Sequence, residues 1–472
     1  MLARKEIDAT SGPILKNFII FALPIAIGGI IQSLFNAADM MVLGNLASSV
    51  AVASVGATGT IISLLVNTFI GLSGGTQVVL AQACGEHNRT KINRCVNTAM
   101  IMSTVLGVFL MFLGYLCSDW FLQLTNCPSD CFDGASLYMK IYFIGVPFIL
   151  IYNFGASIIR VSGDSQRPLY YLIASGALNV VLNLILCLIL PNKVAAVAIA
   201  TVASQVLGAA LVTYRLVTVD SDCRFNIKKL SFDFQSFKRM LLIGIPCALN
   251  SSLYSISNLQ IQSAINSFGS PATAGNIAAT NFEGIVSSFT SAVGTTTLTF
   301  VGQNIGAKKP DRIKRIFIIG ALSGFTVGFV LGYSFLLGAR PLLRLFVGND
   351  LAAIECGYLR MRALMSLYCV AGISGSVGAV LQAFGYSIIP MFNSIFSVLI
   401  LRVIWMSFIY PLNPVLNTVY TCYMFSWSLN FVMCITALLI IVPKKIRIMR
   451  RDIRISNALA EKNMLFEHAE KN

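Results

Sequence analysis

The sequence predicts an all-α integral membrane protein with twelve transmembrane helices arranged as two six-helix parallel repeats. Three observations carry this. First, 56% of the 472 residues are hydrophobic and 11% charged, with a mean hydropathy of +0.78. A soluble chain carries about 25% charge, and this much apolar surface cannot be hidden in one water-soluble core. Second, the chain repeats itself at an offset of about 222 residues. Pro24 recurs as Pro246, Asn36 as Asn258, and Gly163, Ser165 and Pro168 as Gly385, Ser387 and Pro390. One residue out of step, Gln82, Gly85, Ile92, Arg94 and Gly107 recur as Gln303, Gly306, Ile313, Arg315 and Gly328. Third, the basic residues fall almost entirely on one side of the expected membrane.

A helical span takes about 20 apolar residues. Twelve such stretches begin near residues 14, 54, 92, 134, 167, 194, 238, 274, 314, 353, 388 and 415. The first, FIIFALPIAIGGIIQSLFNAADMMVLG, keeps a Pro and several Gly, which membrane helices tolerate. Six spans per half is an even number, so the second half starts on the same side as the first. The repeats are then related by an axis along the membrane normal, with a binding site between them. The organisation expected is a terminal segment 1–13, an N-terminal lobe 14–217, a polar linker 218–235, a C-terminal lobe 236–442 and a basic, then polar, tail 443–472. The tail reads as either a short amphipathic helix or a disordered segment.

The net charge of +15 resembles a nucleic-acid signal until it is located. With loops assigned alternately to two sides, the side holding both termini carries 27 of the 34 Lys and Arg. The other side has Lys193, Arg340 and Arg344, and Lys140, Arg360, Arg362 and Arg402 fall in or at the ends of spans. This is the positive-inside pattern, which places both termini in the cytoplasm of a multi-pass cell-membrane protein. IKKLSFDFQSFKR and KKIRIMRRDIR are read as topology signals attracted to anionic lipid rather than as nucleic-acid contacts. MLARKEIDATSGP is polar and the apolar run after it is long enough to span, so no cleavable signal peptide is expected. Twelve Cys are scattered, mostly within spans. Cys127 and Cys131 share one outward loop and could be either a disulfide or two free thiols. No motif points to a metal or cofactor, and the two His, His87 and His468, read as solvated.

Span count alone does not choose among carriers. The loop AQACGEHNRTKINR lacks the Gly…Asp-Arg…Gly-Arg-Arg pattern that marks the facilitator superfamily. It carries Gln-x-x-Gly instead, as Gln82 and Gly85, repeated in GQNIGAKKPDRIKR as Gln303 and Gly306. Together with ALPIAIGGIIQSLFNAADMMVLG in span 1 and IIRVSGDSQRPLYYLIASGALNVVLN through span 5, this resembles the multidrug and toxic compound extrusion (MATE) family over nearly the whole chain. It is most similar to the bacterial branch whose ion site lies in the N-terminal lobe.

Ionisable side chains within a membrane are costly and so mark function by default. The clear acids are Asp39 in span 1 and Glu283 in span 8, and Arg402 in span 11 is the clearest base. At about 1.5 Å per residue, Asp39 lies in the outer half of its span. Asn179 and Asn183 are four apart on one face of span 5 and reach a similar layer, and Thr201 lies about 10 Å into span 6. The second half keeps Asn258 but has Ile261 opposite Asp39, so the lobes differ in role. The alternative for Asp39, less favoured, is a helix end, and Asn and Thr often serve as interhelical glue. Glu283, about 14 Å into span 8, either handles a cationic substrate or a proton or pairs with Arg402. Pro24 and Pro246 are either gating hinges or ordinary kinks. The 16 Met and 31 Phe suit a pliable cavity, or face lipid.

The resemblance implies the same set: a span-1 Asp (Asp39), a span-5 Asn-x-x-x-Asp pair and a span-6 Thr (Thr201). Asn179 matches the first member of the pair, and Asn183 stands where the second acid would be. That departure removes one charge and bears on sodium coupling and two-acid proton coupling alike. Pro24 matches the proline at which span 1 bends in some relatives, and Tyr254 stands near the place of a span-7 Glu found in another branch.

The function expected is a cation-coupled antiporter, driven by protons or sodium, that exports amphipathic, often cationic organic compounds by alternating access. Asp39, Asn179, Asn183 and Thr201 would hold the cation, sodium at Asp39 being the one metal ion considered. Glu283, Asn36, Tyr254 and Arg402 would handle substrate or proton. The chain is expected to act as a monomer without cofactor, its partners being small organic molecules and lipid. Export of one specific metabolite is an alternative. So is flipping of a lipid-linked oligosaccharide, although its anionic head would call for several cavity Arg or Lys. A membrane-embedded enzyme, the third alternative, would need a clustered catalytic set, and no Ser/His/Asp, metal or nucleotide motif is found, so no enzyme activity is expected.

Overall fold

The computed structural model describes the chain apart from residues 1–6, 47–48, 126, 228 and 471–472, and apart from the side chains at 36, 40, 45–46, 49, 60 and 460–470. Among the described residues every regular element is helical. The first half contains α1 (Ile14–Leu46), α2 (Ser49–Gly85), α3 (Arg89–Leu124), α4 (Ser129–Val161), α5 (Gln166–Ile189) and α6 (Lys193–Thr218). The second contains α7 (Phe234–Asn266), α8 (Ser270–Gly306), α9 (Pro310–Leu337), the short α10 (Ala339–Val347), α11 (Leu351–Met365), α12 (Tyr368–Ala383), α13 (Ile388–Leu412) and α14 (Leu416–Glu470).

Eleven of these helices are long and apolar enough to cross a membrane, and α11 with α12, bent by 44° at their junction, makes the twelfth. The expected starts, read from the apolar stretches, fall within a few residues of the observed ones, and four of the observed starts are also marked by polar caps. Asn88, Asn192, Asp233 and Asp350 each accept a hydrogen bond from the free N–H three residues on, at Lys91, Ala195, Ser236 and Ala353. Two features escape the hydropathy pattern. The break in the tenth span falls at Ser366–Leu367, with neither Pro nor Gly to announce it. The eleventh, α13, contains two π-helical stretches, Ile395–Ile400 and Trp405–Ile409, on either side of Arg402. The tail is helical to Glu470, as a continuation of α14, while His468 lies outside the described side chains. Cys127 and Cys131 are free thiols.

The repeat is visible in the backbone. Positive φ occurs at His87 and Lys308, both 53°, and at Gly163 and Gly385, 98° and 87°, so equivalent turns close equivalent helices in the two halves. Both termini lie on one face. Ile7 N donates to Gly163 O, and Arg450 on α14 pairs with Asp311 at the start of α9. The loops after α2, α4, α6, α8 and α12 share that face, hereafter the terminal face.

The halves pack together unevenly. Near the terminal face they share two apolar cores. One joins Leu72, Val79 and Ala99 to Met240, Ile243 and Leu298, and the other joins Phe18 and Phe21 to Phe300 and Val380. Toward the opposite face the cores are separate, with Leu43, Val55, Tyr138 and Val146 in the first half and Ile261, Ile265 and Tyr420 in the second. Among the described residues every hydrogen bond between the halves involves the terminal segment, α2 from Asn67 inward, or the terminal ends of neighbouring helices. Examples are Asn67 with Ser255, Thr68 with Ser252 and Gln77 with Thr299. The protein is therefore closed at the terminal face and unjoined at the other.

Small residues let helices approach, as membrane packing requires. On α9 and α12, Gly324 and Gly372 face each other so closely that a Cβ on either would come within 2.2–2.4 Å of the other's carbonyl oxygen. Gly372→Leu should then destabilise the protein by about 1–3 kcal/mol through forced separation. Thermal unfolding of detergent-purified protein would show a lowered midpoint; an unchanged midpoint would contradict the packing.

Candidate functional site

Asp39 projects from the half of α1 farther from the terminal face toward α5. Asn183 Nδ2 donates to Asp39 Oδ1 at 2.6 Å. Asn179, one turn earlier on α5, abuts the same carboxylate. With its amide nitrogen turned inward it reaches Oδ1 at 2.5 Å and Oδ2 at 3.2 Å. The i, i+4 spacing on one helix face brings both amides to one carboxylate. No Lys, Arg or His among the described residues lies within ion-pair range of Asp39. The side-chain oxygen of Asn183 is buried and has no partner. Thr201 does not touch the carboxylate: its hydroxyl donates to Val197 O at 2.9 Å, and it adjoins Tyr138, which lies within electrostatic reach of Asp39. Tyr138, stacked on Tyr142 in α4, is the member of this cluster that sequence reasoning missed. Its only signal is a hydroxyl within an apolar span.

The donors are chemically able to hold a small hard cation: one carboxylate, amide oxygens and hydroxyls. They are equally able to meet a proton. Among the described residues no group of three or more His, Cys, Asp or Glu could hold a metal ion.

The second half places its charges differently. Glu283 on α8 does not pair with Arg402. Its carboxylate is gripped at both oxygens by Arg360 of α11, Nε to Oε1 at 2.6 Å and Nη2 to Oε2 at 2.8 Å, and Arg360 Nη1 donates to Asn276 at 2.7 Å. Both side chains are buried, and the guanidinium also lies over Tyr423 at 5.5 Å. A bidentate, fully hydrogen-bonded pair of this kind is complete in itself.

Arg402 is 1% exposed and has no carboxylate beside it among the described residues. It donates to Asn258 at 2.9 Å, Ser257 at 3.3 Å and Ser426 at 3.2 Å, and stacks over Tyr423 at 4.4 Å. Asn258, expected as the repeat partner of Asn36, thus holds a cation. Asn36 has its side chain outside the described set. Pro24 is buried within α1, which continues through it as one helix.

Between the halves lies a cavity of about 530 Å³, walled by α2, α7, α8, α12, α13 and α14. Tyr254 lines it, with Tyr368, Trp427, Gln77, Asn250, Ser291 and Thr295. No described lining residue is acidic or basic, and none is Met or Phe. Of the two readings of the Met and Phe, the structure favours lipid-facing and packing positions over a cavity lining. Phenylalanines such as Phe109, Phe112, Phe325 and Phe329 face outward, and Met139, Met240 and Met361 fill buried cores. Neither Glu283, Arg360 nor Arg402 borders the cavity, although the Tyr368 hydroxyl donates to Glu283 O at 3.3 Å and links that pair to the wall.

Two blocks of the chain, residues 24–185 and 246–409, match the MatE family model. The chain belongs to the MatE family. It is 26% identical over 394 residues to the probable multidrug resistance protein YoeA of Bacillus subtilis, covering 81% of this chain and 84% of that one. It is 25% identical over 403 residues to the probable multidrug resistance protein YpnP of the same organism, covering 84% and 89%. A solved structure of a MOP superfamily transporter from Pyrococcus furiosus superposes with a TM-score of 0.85 at 20% identity, covering 95% of this chain and all of that one.

The matched MatE blocks start at Pro24 and Pro246, the offset of the internal repeat. On that offset Arg402 falls next to the position of Asn179. The two halves of this MatE chain thus place charges of opposite sign on different helices: Arg402 lies beside the repeat position of Asn179, whereas the repeat position of Asp39 is Ile261.

The Glu283–Arg360 geometry generates a prediction of its own. Glu283→Gln should lower stability by about 3–5 kcal/mol by leaving Arg360 buried without its counter-charge, and joint replacement by Leu and Met should recover most of that loss. Thermal unfolding of the single and double variants checks it; a double variant no more stable than the single would contradict the pairing.

Proposed function

We propose that this MATE transporter is a cation-coupled antiporter that exports amphipathic organic compounds, with the coupling ion taken up at Asp39. The observation that carries the reading is a carboxylate inside a membrane helix, met by two amides and by no cation. Such a group is stable while donors face it, and changes its preferred surroundings when it is neutralised.

The proton is the favoured ion. When Asp39 is ionised, Asn179 and Asn183 both donate to it. When it is protonated, its O–H donates to the Asn179 oxygen, and that amide turns over. Asn183 Nδ2 then finds the same oxygen at 3.4 Å. Sodium is the second candidate, supported by the unpartnered Asn183 oxygen. In either case neutralisation changes the bonds that hold this part of α1 against α5, and the ion shifts the equilibrium only as far as it binds the two conformations differently.

The halves act as lobes 14–217 and 236–442, linked by 218–235. The terminal face is cytoplasmic by the distribution of Lys and Arg, so the structure is closed inward and parted outward in the cell membrane. The cavity suits a compound that hydrogen-bonds to Ser, Thr, Asn and Gln and lies against Tyr254, Tyr368 and Trp427. A cationic group there would meet aromatic faces rather than a carboxylate. A lipid-linked pyrophosphate is disfavoured, because no basic side chain is among the described lining residues.

Two outcomes follow. Asp39→Asn, which mimics the neutral site, should keep membrane insertion and substrate binding yet lose gradient-driven efflux. Efflux from vesicles at matched abundance, with binding measured in parallel, tests it, and undiminished efflux would remove Asp39 from the mechanism. A membrane-impermeant thiol reagent applied to intact cells should label Cys127, which is half-buried at the face opposite the termini, and miss Cys223. Labelling of Cys223 from outside would overturn the orientation.

A further inference from the structure

The repeated Gln-x-x-Gly has no part in the cation site or the cavity wall, yet both copies sit where the halves meet at the terminal face. Gln82 leaves the end of α2 and donates from Nε2 to Ala383 O, the last carbonyl of α12, at 2.6 Å. Gln303 leaves the equivalent end of α8 and donates to Val161 O, the last carbonyl of α4, at 2.7 Å. Each glutamine crosses to the other half and caps a helix end there. The oxygens are also matched across the seam. Arg239 of α7 donates to Gln82 Oε1 at 2.5 Å, and Ala9 N donates to Gln303 Oε1 at 3.2 Å.

Three residues on, the glycines explain the rest of the motif. A Cβ on Gly85 would lie 1.9 Å from Gln303 O, and one on Gly306 would lie 2.0 Å from Gln82 O. The ends of α2 and α8 cross with backbone against backbone, and any side chain there would wedge them apart.

The segment Ile7–Gly12 lies over this crossing. Ile7 N is held by Gly163 O of the first half at 3.1 Å. The second half holds the remainder: Asn304 donates to Ala9 O at 2.9 Å, Lys309 to Thr10 O at 2.9 Å, and Arg312 to Ala9 O, Ser11 O and Gly12 O at 3.0–3.2 Å. Asp8 shapes the segment from within, accepting from Thr10 N, Thr10 Oγ1 and Ser11 Oγ.

We propose that Gln82 and Gln303, with Ile7–Gly12 as a strap across them, form a latch that holds the terminal face shut, and that its release permits opening to that side. The bonds are of a kind that can be exchanged with water. The carbonyls they cap are helix-terminal, without intrahelical partners, and stand where solvent enters once the halves part. A dry apolar seam alone offers no such exchange. The twofold arrangement also makes release concerted, since separating the crossing breaks both glutamine bonds at once. Gln82 and Gln303 are positioning residues in this account. They touch neither substrate nor ion, and set which face is open.

The sidedness assumed above enters only in naming the face, and the test separates the two. Ser291, exposed in the cavity wall, is replaced by Cys, and its modification by a membrane-impermeant maleimide is followed by peptide-resolved mass spectrometry in right-side-out and inside-out vesicles. With the latch intact, labelling comes from the face opposite the termini. Adding Gln82→Ala with Gln303→Ala should raise labelling from the terminal face by roughly tenfold, the effect of losing two modest hydrogen bonds. Gly85→Ala, which leaves both amides in place and wedges the crossing, should act in the same direction, and it provides the reading if the glutamine variant does not accumulate. Unchanged terminal-face labelling in the variants that fold would overturn the latch. The same rise seen in the opposite vesicle preparation would keep the latch and overturn the orientation.

Discussion

An ionised carboxylate within a membrane helix persists only where donors or a counter-charge compensate it, and Asp39 has donors alone. Much of the first half is arranged to meet that demand. α5 presents two amides on one face, α4 brings Tyr138 alongside, and α1 runs unbroken through Pro24 to hold the acid in place. Among the described residues no fixed cation neutralises the site, and in the proposed function an ion that comes and goes does so. The Glu283–Arg360 pair differs in geometry: both carboxylate oxygens are held by one guanidinium, which ties α8 to α11.

The second half answers with the opposite sign. Arg402 sits between two π-helical stretches, held by hydroxyls, an amide and an aromatic face, at nearly the repeat position of Asn179. Duplication supplied the same helices twice, and divergence gave one half a titratable acid and the other a permanent cation. The cavity between them is left neutral, lined by hydroxyls, amides and rings.

Most of the fold was legible in the sequence, since apolar stretches of spanning length mark the membrane helices and the internal repeat pairs the halves. The Asp39–Asn183 contact was legible as well. Depth along α1 and α5 follows from residue count, and four-residue spacing puts Asn179 and Asn183 on one face. What stayed hidden depends on how helices rotate against each other. Arg360 lies 77 residues from Glu283, and nothing local distinguishes it from Arg402 as a partner. Thr201 was placed at the right depth yet faces its own helix and Tyr138. The bend at Ser366–Leu367 has no Pro or Gly to signal it, and the cavity wall draws on Ser, Thr and Gly rather than on the abundant Met and Phe. The Gln-x-x-Gly repeat was visible as a pattern, but its reciprocity across the seam exists only in three dimensions.

The central claim is that neutralisation of Asp39 by a proton drives transport. Its most direct test is dye efflux by the purified wild-type protein in proteoliposomes, with a proton gradient and a sodium gradient imposed one at a time. The account predicts movement driven by the proton gradient in sodium-free buffer and none driven by sodium at equal pH. Transport powered by sodium alone, with no response to the proton gradient, would contradict it.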